Sequence, residues 1–206
     1  MDDTIRQFEE LIDRSNRIVF FTGAGISTES GIPDFRSPGG LWEQNRPIDF
    51  SEFVASADAR KEAWRRKFAM DAVMTAARPN DGHNAIAALY EQGKVPAVIT
   101  QNIDGLHSVA KIRPVLEIHG TNREVICLGC KTVGPFDPVY GRLLAGEKIP
   151  LCRNCGGLLK PNTISFGQAM PVIPMQRAEE ETFACDLFIA IGSSLVVYPA
   201  ASFPLV

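Results

Sequence analysis

The stretch Arg17-Ile-Val-Phe-Phe-Thr-Gly-Ala-Gly-Ile-Ser-Thr-Glu-Ser-Gly-Ile-Pro-Asp-Phe-Arg-Ser-Pro-Gly-Gly-Leu-Trp42 decides the fold. Its unbroken apolar opening reads as a strand buried on both faces, the pattern of parallel sheets. Gly23 and Gly25 fit the first two glycines of G-x-G-x-x-G, whose tight turn lets phosphates approach backbone N–H groups. Thr28 stands where the third glycine belongs. A long helix should follow in an ordinary dinucleotide fold, yet Gly31, Pro33, Pro38, Gly39 and Gly40 punctuate the chain, and helices tolerate these residues badly. The reading is a phosphate cradle that passes into a loop, and that loop carries Asp34, Phe35 and Arg36 beside the anion site.

Outward from this stretch, further short apolar runs cover residues 95–100, 115–118 and 187–191. Helical patterns fill 3–15, about 60–77, 82–92 and about 174–185. Alternation of this kind predicts an α/β protein with a Rossmann-like parallel sheet. Two regions interrupt the rhythm: a Pro/Gly loop with helices over 37–80, and a cysteine-bearing segment over 121–161 with little helical periodicity. Together they are expected to form a smaller domain, a zinc ribbon plus a helical insertion. The larger domain then comprises 1–36, 81–120 and 162–206, with the ligand between the lobes at the carboxyl ends of the strands. Trp64, Phe68 and Ala72 are expected on a core-facing stripe, and Arg60, Lys61, Arg65, Arg66 and Lys67 on a solvated face.

The 206 residues carry a net charge of -3, which argues against nucleic acid as the main partner. Ile5, Phe8, Leu11 and Ile12 make the N-terminal helix amphipathic. It resembles neither a signal peptide nor a membrane span, so a cytoplasmic protein with no membrane partner is expected. Oligomeric state is left open.

Five cysteines are present. Cys127-x-x-Cys130 and Cys152-x-x-Cys155, 21 residues apart, match two zinc knuckles, and four thiolates would fill a tetrahedral shell. Such a metal has no open position for substrate, so its role is structural; disulfides or an iron–sulfur cluster are the alternatives. Cys185 reads as a small buried thiol.

Polar clusters follow three of the strand candidates. In Thr100-Gln-Asn-Ile-Asp-Gly-Leu-His107, Asn102 and Asp104 flank Ile103, so an amide and a carboxylate could read a carboxamide from one side. His119, before Gly120, would stand at the sheet rim as a general base. His83 reads as part of a helix start and His107 as a packing or hydrogen-bonding residue. Residues 162–167 could form an edge able to capture an extended peptide, and Gly192-Ser193-Ser194 follows the last strand.

Taken in order, these motifs resemble the sirtuin family, of bacterial type, from about residue 15 to the end. The resemblance implies an NAD-dependent protein-lysine deacylase, deacetylation foremost, that consumes NAD and yields nicotinamide, free lysine and O-acyl-ADP-ribose. By matched motif position it implies that Gly23, Ala24, Gly25 and Ser27 cradle phosphate and that Asp34, Phe35 and Arg36 form a mobile cofactor loop, Phe35 shielding the sugar carbon. Asn102, Ile103 and Asp104 would hold the carboxamide, Gln101 the ribose, and His119 would activate the ribose hydroxyls. Gly192, Ser193 and Ser194 would contact NAD, Phe166 and Gly167 the acyl-lysine, and Cys127, Cys130, Cys152 and Cys155 one structural zinc. The Trp64–Met70 region lacks the Tyr-x-x-Arg pair of members that prefer acidic acyl groups, which implies neutral acyl groups, acetyl or longer. The family continues through another strand that contacts the adenosine, so that edge of the nucleotide site is expected to be incomplete here. The competing readings are a mono-ADP-ribosyltransferase or NAD glycohydrolase, and a non-catalytic NAD-sensing or zinc-ribbon module.

Overall fold

The computed structural model describes residues 3–38 and 40–205. The chain opens with α1 (Asp3–Arg14) and β1 (Ile18–Thr22), followed by a 3-10 segment over Ala24–Ser30. A first insertion contains α2 (Leu41–Gln44), α3 (Phe50–Ala55) and α4 (Ala57–Ala76). The chain then returns through α5 (Asp81–Glu91), β2 (Val98–Thr100), α6 (Leu106–Val109) and β3 (Val115–Glu117). A second insertion holds β4 (Gly120–Cys127), β5 (Val133–Pro135), α7 (Asp137–Leu144) and β6 (Leu159–Thr163). Then come α8 (Val172–Ala184), β7 (Leu187–Ile191) and a 3-10 segment over Ala200–Leu205.

The main sheet runs β3-β2-β1-β7, and every pairing is parallel. All five β1 residues are buried, as an Ile-Val-Phe-Phe-Thr run requires of a central strand. Alternate residues serve opposite faces: Val19 and Phe21 pack with Ile118, Ala178 and Phe203, while Ile18 and Phe20 pack with Ile26, Ile86 and Ile112. Full burial of Phe21 contributes about 2–3 kcal/mol.

α5 begins where His83 was expected to start a helix, and the cap is Asn80. Asn80 accepts from Gly82 N and His83 N in a reciprocal cap with the His83 ring, and its Nδ2 donates to Ile26 O at 2.7 Å. One side chain thus starts the helix and fastens it to the glycine turn.

The second sheet, β5-β4-β6, is antiparallel. Trp64 of α4, 1% exposed, enters its core with Val125, Cys127, Phe136 and Cys152. The helical and cysteine insertions therefore share one apolar cluster.

Several expectations change. The glycine cradle passes into the Ala24–Ser30 3-10 segment, which ends on Gly31 in the left-handed region, before the loop begins. Lys67 is not solvated: its side chain is 4% exposed, with Nζ 2.8 Å from Asp71 Oδ1 and 3.3 Å from the Phe136 ring centroid. Its stem is buried because an ion pair and an aromatic face await the charge. Ala72 is exposed, since eight helical residues turn it about 80° away from Trp64. Residues 121–161 contain α7, too short to show a period, which packs through Val139, Tyr140 and Leu143. Along α1 only Ile12 packs on the core; Ile5, Phe8 and Leu11 face outward. Among the described residues no helix is long and apolar enough to cross a membrane.

Candidate active site

The carboxyl ends of β1, β2 and β3 bring three of the polar clusters together. After β1, the two glycines meet the turn after β7 rather than open space. A Cβ on Gly23 would stand 2.6 Å from Gly192 O, and one on Gly25 2.8 Å from Gly192 Cα. Gly192 itself has φ +65, and a Cβ there would lie 2.2 Å from Ile26 N. Gly23 N donates to Ile191 O and Gly25 N to Gly192 O, so the two loops interlock and leave Ala24 part-exposed at their junction.

Ser27 is the hub of the site. Its hydroxyl, 1% exposed with its residue, donates to Asp104 Oδ2 at 2.8 Å and accepts from Asn102 Nδ2 at 3.1 Å. The two groups that flank Ile103 do converge, and a serine expected on phosphate is what joins them. Asp104 Oδ1 also accepts from Leu106 N at 2.8 Å, starting α6. Gln101 reaches across to Ser193, Nε2 to Oγ 2.7 Å. Ser194 is exposed beside it.

His119 sits between β3 and β4. Its Nδ1 lies 3.1 Å from the carbonyl of Gln101. A carbonyl only accepts, so Nδ1 carries the proton and Nε2 keeps its lone pair. Burial lowers the His119 pKa from 6.5, with the Gln101 carbonyl opposing, so the ring is a neutral base at neutral pH. Gly120 follows with φ +76, where a Cβ would lie 2.1 Å from Asn162 O; the close crossing of β4 and β6 therefore requires glycine after this histidine.

Behind the clamp runs a buried network that sequence reasoning placed only in part. Thr22 Oγ1 donates to Thr100 Oγ1 at 2.8 Å and meets His107 Nε2 at 2.9 Å, and Thr100 Oγ1 accepts from Asn102 N. His107 thus fulfils its hydrogen-bonding expectation. Its ring lies 4.9 Å from that of His83, and burial drives its pKa down to about 3.

The loop that carries Asp34, Phe35 and Arg36 folds on itself. Asp34 accepts from Arg36 N, Ser37 N and Ser37 Oγ, which hold its carboxyl below the usual range. Phe35 packs on Trp42 at 5.3 Å, Trp42 on Phe166 at 5.5 Å, and the Arg36 guanidinium lies 4.2 Å over Trp42. Trp42 is a member of this row that no motif singled out. Phe166 is exposed, its carbonyl accepts from Phe50 N, and Gly167 follows with φ +75.

The four paired cysteine sulfurs all lie within 4.8 Å of one another. Cys127 and Cys155 sulfurs are 3.5 Å apart, and those of Cys130 and Cys152 3.8 Å. A disulfide needs about 2.05 Å, whereas thiolates about 2.3 Å from a tetrahedral zinc stand about 3.8 Å apart. The donor set fits one zinc with no open coordination position. Cys185 lies apart, part-buried, its Sγ donating to Thr182 O.

Fold and site define a class: an α/β protein with a four-thiolate module inserted into a dinucleotide-type sheet, and a histidine, an amide and a carboxylate at its rim. The chain belongs to the Sir2 family, whose model matches residues 23–199. It is 54% identical over 203 residues to the NAD-dependent protein deacetylase of Rhodopseudomonas palustris, covering 98% of this chain and 80% of that protein. A solved Sir2 structure holding a deacetylated peptide and 3'-O-acetyl ADP ribose has a TM-score of 0.89 at 37% identity, covering 98% of this chain and 81% of that one. Another, bound to a propionylated peptide, has a TM-score of 0.87 at 38% identity, covering 100% and 81%.

Proposed function

We propose that this protein is an NAD-dependent protein-lysine deacylase, with deacetylation as its basic activity. Acyl-lysine and NAD are its substrates; nicotinamide, free lysine and O-acyl-ADP-ribose are its products. NAD supplies the glycosidic bond that breaks and the ADP-ribose that accepts the acyl group. The single observation that carries the reading is the pairing of a Ser27-centred amide–carboxylate clamp with a histidine whose Nε2 lone pair is free.

In this reading Asn102 and Asp104, with Ile103 between them, hold the carboxamide through its donor and acceptor. Gly23, Ala24, Gly25 and Ser27 bound the phosphate side, with Arg36 as counter-charge. Gln101, Gly192, Ser193 and Ser194 bound the ribose, and the Gln101–Ser193 bond supports that grouping. His119 Nε2 takes the proton of a ribose hydroxyl, and its lowered pKa keeps that atom free at neutral pH. Asp34 braces the loop that puts Phe35 over the sugar carbon, where the ring excludes water. Phe166 and Gly167 line the acyl-lysine, whose peptide pairs as a strand between two lobes, 1–36, 81–120 and 162–206 against 37–80 and 121–161. Cys127, Cys130, Cys152 and Cys155 hold zinc that shapes the smaller lobe and touches no substrate. The protein acts in the cytoplasm.

The test is incubation of the zinc-loaded protein with NAD and an acetyl-lysine peptide, products weighed by mass spectrometry. O-acetyl-ADP-ribose is expected from wild type and not from His119→Ala. Free ADP-ribose, or ADP-ribosylated protein, with the acetyl group left on lysine would replace this reading by a glycohydrolase or ADP-ribosyltransferase. No consumption of NAD would leave a binding module.

A further inference from the structure

Lys160 of β6 is 2% exposed, and among the described residues no carboxylate meets its ammonium. Its Nζ turns along its own strand and donates to Thr163 O at 2.5 Å and to Pro161 O at 3.4 Å. The Phe53 ring centroid stands 6.0 Å away. A buried cation with carbonyls as its hydrogen-bond partners is costly, and an apolar side chain would fill the same space without that cost. What the charge does is visible in the strand. β6 leaves its regular ladder here, because the register with β4 shifts between Gly120 and Val125 and Pro161 has no N–H to give.

Past this point the chain runs into the segment beside the candidate active site. Ile164 N donates to His119 O, Ser165 N to Gln168 Oε1 and Phe50 N to Phe166 O. Lys160 holds the residue that opens this series, Thr163, and is the one charged group in it.

We propose that Lys160 is a positioning residue for the peptide substrate: its ammonium fixes the Thr163 carbonyl, so that residues 164–166 keep the backbone geometry to which the acyl-lysine strand pairs. The proposal rests on the deacylase reading and adds a residue that no motif placed near substrate. Lys160 acts through the backbone and touches neither NAD nor the reacting atoms. The Ser27 clamp is built on the turns after β1 and β2, so the loss of Lys160 should be felt on the peptide and not on NAD. Burial lowers the Lys160 pKa to about 8, so the ammonium is present below that pH and is lost as pH rises through it. Around it, Arg65 and Arg66 are held by Glu62 and Lys67 by Asp71, Glu52 of α3 by Arg46, and Glu124 of β4 accepts from Asn162. Burial also lowers the pKa of Lys67, which makes an arginine at position 160 the necessary control.

The experiment measures Kd for an acetyl-lysine peptide and, separately, for NAD, and follows turnover, with zinc-loaded wild type, Lys160→Met and Lys160→Arg. At neutral pH, Lys160→Met should weaken peptide binding about tenfold, the size of one charge-assisted hydrogen bond, with NAD binding and kcat within about threefold of wild type. Lys160→Arg keeps a charged donor and should restore peptide binding to within about threefold. From about pH 7 to about pH 9.5 wild-type affinity for the peptide should fall about fivefold as the donor becomes neutral, and the arginine variant should not follow. Unchanged peptide binding by Lys160→Met, with acetyl-lysine still turned over, would overturn the proposal and leave the deacylase reading standing. Equal losses of peptide and NAD binding would also overturn it, since Lys160 would then be a general support of the fold. Peptide bound in a Lys160-dependent way but never deacylated would keep the positioning role and remove the deacylase reading. If neither variant folds, the wild-type pH series decides, and an affinity flat to about pH 9.5 overturns the proposal.

Discussion

Acid should weaken this protein through one buried ring. His107 is 1% exposed, and its Nε2 meets Thr22 Oγ1 while Nδ1 has no hydrogen-bond partner among the described residues. Burial, then the neighbouring His83, lowers its pKa from 6.5 to about 3. Between these values the unfolded chain binds a proton that the folded state refuses, so stability falls as pH falls through this window. From about pH 7 to about pH 5.5 the linkage relation gives a loss of about 1 kcal/mol for His107 alone. His83 is lowered in the same direction by burial and adds to the loss. The assay is urea unfolding of wild type and His107→Gln at both pH values, above the range where thiolate ligands are lost. Wild type should lose about 1 kcal/mol more than the variant over that interval, although the variant is less stable at pH 7. Equal losses would refute the claim that this ring is held neutral by the fold, as would an NMR titration of His107 with a midpoint near 6.5.

Ser27→Ala removes the hydroxyl shared by Asn102 and Asp104; unpaired buried groups cost about 1–3 kcal/mol, so kcat/KM for NAD should fall about 5- to 150-fold with the circular dichroism spectrum unchanged. The acid limb of kcat/KM should lie below the ordinary histidine range, because burial lowers the His119 pKa, and an acid limb above pH 6.5 would show that another group controls the rate. Gly192→Ala places a Cβ 2.2 Å from Ile26 N at φ +65; the left-handed backbone alone costs about 1–2 kcal/mol, so a clear drop in Tm is expected by calorimetry. Chelation should lower Tm and change Trp64 fluorescence, since Trp64 packs with Cys127 and Cys152, and an unchanged Tm would remove zinc as a folding element.

Legibility in the sequence followed how locally each feature is caused. β1 could be read because its five buried residues are all apolar or β-branched, and the cysteine knuckles because ligand spacing is a property of the chain itself. The start of α5 was legible near His83, although the cap that fixes it, Asn80, was not read from the sequence. What resisted was anything set by distant partners. Nothing around Ser27 announces that its hydroxyl will stand between residues more than seventy positions away. Lys67 lies in a basic run that reads as solvated, and the Phe136 ring, brought in by the second insertion, joins Asp71 in making a buried ammonium tolerable. Short elements such as α2 and α7 were missed because one or two turns carry too few residues to show a period.

The Trp64 cluster makes the stability of one insertion depend on the other. The metal site offers no vacancy for chemistry, yet two of its sulfur ligands pack against the indole of α4, the helix that makes up most of the first insertion. Loss of metal from the thiolates should therefore loosen α4 together with the second sheet. A partly demetallated preparation should lose hydrogen-exchange protection in α4 and in the second sheet together, while the parallel sheet keeps its own.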